Sequence, residues 1–336
     1  MSLKYAKDQP TGFVNRIEKV AIVGASGTIG SYFTEGLLRT GKHTITALTR
    51  EGSKSKLPEG VHSVAINYDD ESTLVNAMKG QQFLIITLPA MVAKGTESKL
   101  IRAAAEAGVP YVMPNAYGPD PVNEKMMTEN LIGLPFVQAR KEIEQLGVSS
   151  WVAFACGFWY EWSILGSANC YGCDVNKREM TFYDDGEEKI TTTTWDQCGR
   201  GIAAFLSLKL YPEDENDKEP AISNWANKAL YISSFRVSQK DMFESVKKAT
   251  GTTDKDWKIG YVGSEERFKE GQEAMKRGDR DGFARQMYAR IFYPTGEGDH
   301  SRHGLANEAL GLPEEDIDEM TKRGFVLLDQ GKLSYT

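Results

Sequence analysis

The stretch that decides the reading is Val20-Ala21-Ile22-Val23-Gly24-Ala25-Ser26-Gly27-Thr28-Ile29-Gly30. Its first four residues are a short apolar, β-branched run, the pattern of a buried strand. G-x-x-G-x-x-G comes next, and then Ser31 to Thr40, where Phe33, Leu37 and Leu38 recur at helical spacing. Strand, glycine turn and helix in that order form the setting in which a chain cradles a dinucleotide. Gly24 lets the backbone turn tightly out of the strand, and Gly27 lets a pyrophosphate approach the main chain. Gly30 lets helix and strand pack closely, while the helix N-terminus adds unpaired N–H groups and a positive dipole end. Ser26, Thr28 and Ile29 join the three glycines as cofactor-binding candidates. An ordinary strand-to-helix turn uses the same glycines; placement at the first strand of an α/β pattern favours the cofactor.

The residues after the second strand select the dinucleotide. Thr44 to Thr49 alternates β-branched residues and runs into Arg50, with Ser53, Lys54 and Lys56 just beyond. NAD-binding domains usually place a carboxylate here for the ribose 2′-hydroxyl, and a carboxylate would repel a 2′-phosphate. A guanidinium pairs with that phosphate in a forked geometry. Arg50, Ser53 and Lys54 therefore predict NADPH/NADP rather than NAD, with Glu51 as the one acidic neighbour. A solvated basic loop is the competing reading.

Strands are also expected at Val61 to Asn67, Phe83 to Leu88, Val109 to Met113 and Trp151 to Ala155, separated by helical stretches. Asp69 or Asp70 is expected to cap the helix from Ser72 to Met78. Unbroken βα alternation predicts an α/β fold, a Rossmann-type doubly wound parallel sheet. Ligands of such sheets lie over the carboxyl ends of the strands, so Thr87, Leu88 and Pro89 are cofactor candidates. Pro114-Asn115-Ala116-Tyr117-Gly118-Pro119-Asp120 is a turn-rich segment at the same edge. Asn115 is assigned there to the cofactor. Tyr117 either reaches the nicotinamide end or packs under the loop.

The segment Gly157-Phe158-Trp159-Tyr160-Glu161-Trp162 holds more aromatics than one strand or helix face needs. Phe158, Trp159, Tyr160 and Trp162 are candidates for an apolar substrate wall, with core packing as the alternative. Beyond it, Glu179 to Tyr183 and Glu187 to Thr193 resemble a hairpin around Asp184-Asp185-Gly186. Residues 1–18 read as a loosely attached extension, 19–156 as the dinucleotide-binding domain, and 157–336 as a smaller mixed α/β substrate-side domain. The helix over 195–208 is expected to return to the sheet.

Composition closes off other classes. With 336 residues, 40% of them hydrophobic, the chain can bury a sizeable core. A formal charge of -7 argues against nucleic acid and anionic membranes as partners. No basic start leading into an apolar run suggests a secretory signal, and Pro89 interrupts the longest apolar segment, so a cytoplasmic location is expected. Cys170-x-x-Cys173 lacks the rest of a zinc site; His300 and His303 are the nearest second pair, and nothing in the sequence fixes them beside it. No metal is expected, and Cys156, Cys170, Cys173 and Cys198 read as reduced structural thiols.

The glycine turn, Arg50, the Pro114-Asn115-Ala116-Tyr117-Gly118 turn and the Gly157-to-Trp162 segment together resemble the NmrA-like and isoflavone reductase-like proteins. These are atypical short-chain dehydrogenases, and the aromatic segment is most similar to their fungal members. The likeness covers roughly residues 17–210. It implies an NADP(H)-binding Rossmann domain with a small substrate domain. It also implies either NADPH-dependent reduction of phenolic or other apolar natural products or, in some members, dinucleotide sensing without catalysis. Ordinary short-chain dehydrogenases use Tyr-x-x-x-Lys, whose lysine lowers the tyrosine pKa. None of the 14 tyrosines here has that lysine. The reductases of the family use a lysine in the helix before the sixth strand. Counting back from Gly147, that position falls nearer Phe136 than Lys141. Lys141 and Tyr117, or water, are the proton-donor candidates, with Lys125 as a further option, and Ala116 stands where the family turn carries an acid. The reading is an NADPH-dependent reductase of a hydrophobic, aromatic or conjugated carbonyl metabolite, working as monomer or homodimer. The alternatives are a silent NADP(H) sensor with a protein partner and a non-redox isomerase or lyase.

Overall fold

A computed structural model describes residues 5–89, 92–129 and 133–333. The first half alternates strand and helix as the apolar runs dictate. The strands are β1 (Lys19–Val23), β2 (Thr44–Arg50), β3 (Val61–Ile66), β4 (Phe83–Ile86), β5 (Tyr111–Met113) and β6 (Ser150–Ala155). Between them run α1 (Thr28–Thr40), α2 (Glu71–Met78), α3 (Thr96–Glu106), α4 (Glu124–Glu129) and α5 (Gly133–Leu146). Asp70 caps α2 by accepting from the Ser72 N–H, which satisfies one of the four free donors of the first turn.

The second half supplies β7 (Phe158–Trp159), α6 (Tyr160–Leu165), β8 (Cys173–Asp174), β9 (Glu179–Tyr183), β10 (Ile190–Thr193) and α7 (Trp195–Leu206). It continues through β11 (Lys228–Tyr231), β12 (Phe235–Val237), α8 (Gln239–Thr250), β13 (Lys258–Val262), α9 (Ser264–Lys276), α10 (Asp281–Ile291) and α11 (Ile317–Asp329).

The seven-stranded sheet has the order β11-β6-β5-β4-β1-β2-β3, and all its pairings are parallel. The chain moves outward from β1 to β3 and then resumes on the other side at β4. That reversal opens a crevice above the carboxyl ends of β1 and β4. Every residue of β4 is buried, as expected of a strand covered by helices on both faces. One face packs Phe33, Leu37, Phe83 and Phe154 against α1 and α7; the other packs Leu84, Ile86, Leu100 and Phe136 against α2, α3 and α5.

Two expectations are corrected. Residues 5–18 are fastened rather than loose. Ala6 N–H donates to the Pro212 carbonyl, Asn15 exchanges hydrogen bonds with Tyr211, and the Phe13 and Tyr211 rings meet at 5.8 Å. The supposed hairpin does not form either. β9 pairs with β8 and β13, whereas β10 pairs with β7 and β12 in a different sheet. Local turn residues set a change of direction, but long-range partners took both strands.

Candidate functional site

Three neighbouring strand ends build the crevice. Gly24 leaves β1 with φ +78°, and a Cβ there would lie 2.0 Å from the Thr87 carbonyl oxygen. A Cβ on Gly30 would lie 2.0 Å from the Gly24 carbonyl oxygen. No other residue type fits either position. The α1 N-cap is Gly27, which has no side-chain cap, and Ser26, Gly27 and Thr28 are exposed. The first-turn N–H groups of α1 thus face the crevice with only a glycine before them, an arrangement suited to a pyrophosphate. Ile29 differs from its neighbours by turning inward, 5% exposed.

Arg50 ends β2, exposed and with no ion pair among the described residues. It stands one strand from the glycine turn, with Ser53 N–H donating to its carbonyl at 3.0 Å and Lys54 exposed beside it. On the other flank Thr87 is buried, and its hydroxyl donates to the carbonyls of Val23 (2.8 Å) and Gly24 (3.1 Å). Asn115 clamps Leu88 through the Leu88 N–H and the Leu88 carbonyl, both at 3.0 Å. Its own N–H donates to Glu97 at 2.7 Å, a carboxyl that burial pushes up to about 7. The side chains of Thr87 and Asn115 are therefore spent on holding the crevice rather than left for a ligand, and Pro89 is the exposed member of this flank.

The proton-donor candidates fall outside this frame. Tyr117 donates its hydroxyl to the Ile86 carbonyl at 3.0 Å and packs on Phe33 at 5.3 Å. Burial raises its pKa well above the ordinary tyrosine value, and its hydroxyl proton is engaged by the Ile86 carbonyl. Lys141 is exposed on α5, eight residues past Gly133, which places it about 12 Å down the helix from the crevice end. Lys125 is exposed on α4. Phe136, nearer to which the family lysine is expected than to Lys141, is fully buried and edge-on to Trp151.

The aromatic segment divides. Phe158 and Tyr160 are core residues, which corrects their placement on a substrate wall. Phe158 stacks on Tyr288 at 4.2 Å, and Tyr160 shares a 2.6 Å hydrogen bond with Thr321. Trp159 and Trp162 are half-buried and lean on Trp195 at 6.2 and 5.9 Å. Tyr32 of α1 touches the same ring at 5.5 Å, bringing this group to the crevice end of α1. The indole N–H groups of Trp159 and Trp195 are buried without a partner among the described residues. Among them Glu161 is 1% exposed and accepts the main-chain N–H of Trp195 at 3.2 Å. Burial pushes its carboxyl up to about 7, with Glu315 adding to the effect.

A further cluster stands at the same sheet edge and carries no sequence motif. Asp120, Tyr231, His300 and His303 converge there from three segments. His303 bonds to Asp120 and His300 meets the Tyr231 ring, neither lying with the cysteines, all four of which are buried and in no disulfide.

Comparison with known proteins gives a consistent picture. Residues 17–165 match the model of the NmrA-like family. The oxidoreductase aprR of Aspergillus flavus is 30% identical over 90% of this chain and 97% of its own. Among solved structures, the pinoresinol-lariciresinol and phenylcoumaran benzylic ether reductases superpose with TM-score 0.70 at 18% identity, covering 91% of this chain and 99% of theirs. The NADPH-dependent quinone oxidoreductase of Escherichia coli, solved with NADPH, gives TM-score 0.65 at 19% identity over 91% and 99%. No helix among the described residues is long and apolar enough to cross a membrane.

Proposed function

This chain belongs to the NmrA-like family and is an oxidoreductase, and from that premise we propose that it reduces a hydrophobic aromatic or conjugated carbonyl metabolite with NADPH. The observation that carries the proposal is the row of three strand ends. An uncapped α1 start lies between Arg50 on one flank and the braced Thr87–Leu88 segment on the other. Gly24, Ser26, Gly27 and Thr28 would hold the pyrophosphate, and Arg50 with Ser53 and Lys54 the 2′-phosphate. When bound, the dinucleotide supplies hydride; the chain orients it and excludes water. Trp159 and Trp162, half-buried beside Trp195, would wall the substrate. The related proteins' names, pinoresinol-lariciresinol and phenylcoumaran benzylic ether reductases and an NADPH-dependent quinone oxidoreductase among them, support that substrate class.

One observation favours the sensor reading instead: Lys141 lies far down α5, and Phe136, nearer to which the family's lysine is expected, is buried. A fluorescence titration of NADPH, NADP⁺ and NADH against the native chain and Arg50→Asp separates these readings. The reductase reading expects NADPH to bind best, and Arg50→Asp to weaken it tenfold or more (about 1.4 kcal/mol) with little effect on NADH. Equal losses for both would remove the 2′-phosphate assignment, and preference for NADP⁺ would transfer the argument to the sensor.

A further inference from the structure

A cleft of about 550 Å³ runs along the outer edge of the seven-stranded sheet, where Asn227, Lys228, Ala229 and Tyr231 line it. β11 is the last strand there and pairs with β6 alone. No residue of the glycine turn, the Thr87–Pro89 flank or the Trp159/Trp162 wall lines this cleft, so it is separate from the dinucleotide crevice. Its volume falls within the range of pockets that hold small molecules, about 300–1,000 Å³.

The polar side of the cleft runs against the composition of the chain, whose acids outnumber its bases 47 to 40. Arg140 and Lys228 line it, and no carboxylate does. Each polar side chain is fastened by one group and has others to spare. Arg140 gives one Nη to Glu124 at 2.8 Å and holds its guanidinium 5.8 Å from the Trp151 ring, which leaves the rest of the fork. Lys228 Nζ donates one proton to the Asn224 carbonyl at 3.0 Å and has two more. Asn227, at φ +55°, is clamped to Trp151 twice. Its main-chain N–H donates to the Trp151 carbonyl at 2.8 Å, and its Oδ1 accepts the Trp151 main-chain N–H at 3.0 Å. That engages its one side-chain acceptor and leaves the amide N–H groups. The Trp151 indole N–H goes to Glu144 and the Tyr231 hydroxyl to Asp120. What remains for a ligand is a set of donors, two of them on cations, so the ligand must bring the acceptors.

The other side is apolar and held in place. Trp225 is half-buried and edge-on to Phe205 at 5.7 Å, while Val122 stays 42% exposed. His303, fixed by Asp120 at 2.8 Å, stacks on Tyr231 at 4.7 Å. Walls ordered before a ligand arrives lower the entropy cost of binding. We propose that this cleft is a second ligand site and that it takes an aromatic carboxylate. Arg140, Lys228 and the Asn227 amide hold the carboxylate, whose planar pair of oxygens matches a guanidinium fork. Trp225 and Val122 cover the ring. The site involves no dinucleotide and no turnover, so the inference stands apart from the reductase reading.

The test is isothermal titration calorimetry of the full chain with 2-naphthoate and with 4-hydroxycinnamate, each with and without excess NADP⁺. One saturable site is expected for at least one of them, with an affinity that NADP⁺ changes by no more than about twofold. The neutral isostere naphthalene-2-carboxamide should bind about tenfold more weakly than 2-naphthoate, or worse. Lys228 is exposed, so Lys228→Glu leaves the fold intact and should weaken the carboxylates about tenfold. Arg140→Gln should do at least as much; if that variant fails to fold, Lys228→Glu decides alone. Absence of a saturable site for both probes would overturn the proposal. So would displacement by NADP⁺, which would put the probe in the dinucleotide crevice, and so would native affinity in Lys228→Glu.

Discussion

The glycine turn and the aromatic side of the crevice are built on opposite principles. At the turn, each requirement is set within a few residues and by one neighbouring strand. Gly24 must take φ +78°, and Gly24 and Gly30 must leave room for Thr87 and for each other. On the other side the same short range of sequence, Phe158 to Trp162, sends side chains in different directions according to distant partners. Phe158 goes under Tyr288 and Tyr160 to Thr321, |i−j| = 161, while Trp159 leans on Trp195. Backbone geometry written in a local motif can be read directly. Side-chain destinations set by tertiary contacts cannot.

The largest effect should come from breaking the local side. Gly24→Ala puts a methyl group 2.0 Å from the Thr87 carbonyl and forces a left-handed φ on an L-residue. Neither β1 nor β4 can retreat, since both are buried and paired on both edges. A loss of about 4 kcal/mol or more is expected, with NADPH binding abolished. Urea denaturation and a dinucleotide titration measure both. Native stability and affinity would mean the turn tolerates a side chain and the close approach has been misread.

The same contrast explains which parts were legible. The six strands of the first half, the Asp70 cap and the parallel order all come from apolar runs, turn residues and helix spacing. Arg50 could be placed because its significance is its distance from the glycines along two adjacent strands. Thr87 and Asn115 were correctly located at the sheet edge, but their hydrogen bonds to Gly24 and Leu88 depend on strand pairing that no pattern in the chain spells out. Asp120 was visible as a turn residue and His303 as half of a possible ligand pair. Their meeting spans 183 positions, and no spacing rule joins them. Glu161 read as one charge among aromatics; only burial reveals it as a carboxyl at the N-terminus of α7.

Truncating neighbours on the second side sharpens the contrast. Phe158→Ala removes a ring that is 5% exposed and stacked on Tyr288, and about 3–5 kcal/mol should be lost. Trp159→Ala removes a larger ring that is only half-buried; a loss of no more than about 2 kcal/mol is expected, with weaker binding of an aromatic probe such as benzylideneacetone. Paired melting curves and probe titrations decide it. Equal destabilisation of the two would place Trp159 in the core with Phe158 and leave the substrate wall to Trp162 alone.

Glu161 ties the two halves of the comparison together through pH. Its carboxyl releases a proton near 4.5 when the chain is unfolded and near 7 when folded, chiefly because burial penalises the charge. Between those values the folded chain holds the extra proton, so this residue's contribution to stability falls as pH rises through the window and levels off above it. Glu161→Gln has no proton to lose, and its amide oxygen can still accept the Trp195 N–H. The variant should therefore match the native chain near pH 5 and exceed it at pH 8 by as much as about 3 kcal/mol. Urea denaturation of both chains at the two pH values measures the change. A stability difference that does not vary with pH would mean that Glu161 stays ionised in the folded chain, and the Trp195 N–H would then be offsetting a buried charge rather than meeting a neutral acid.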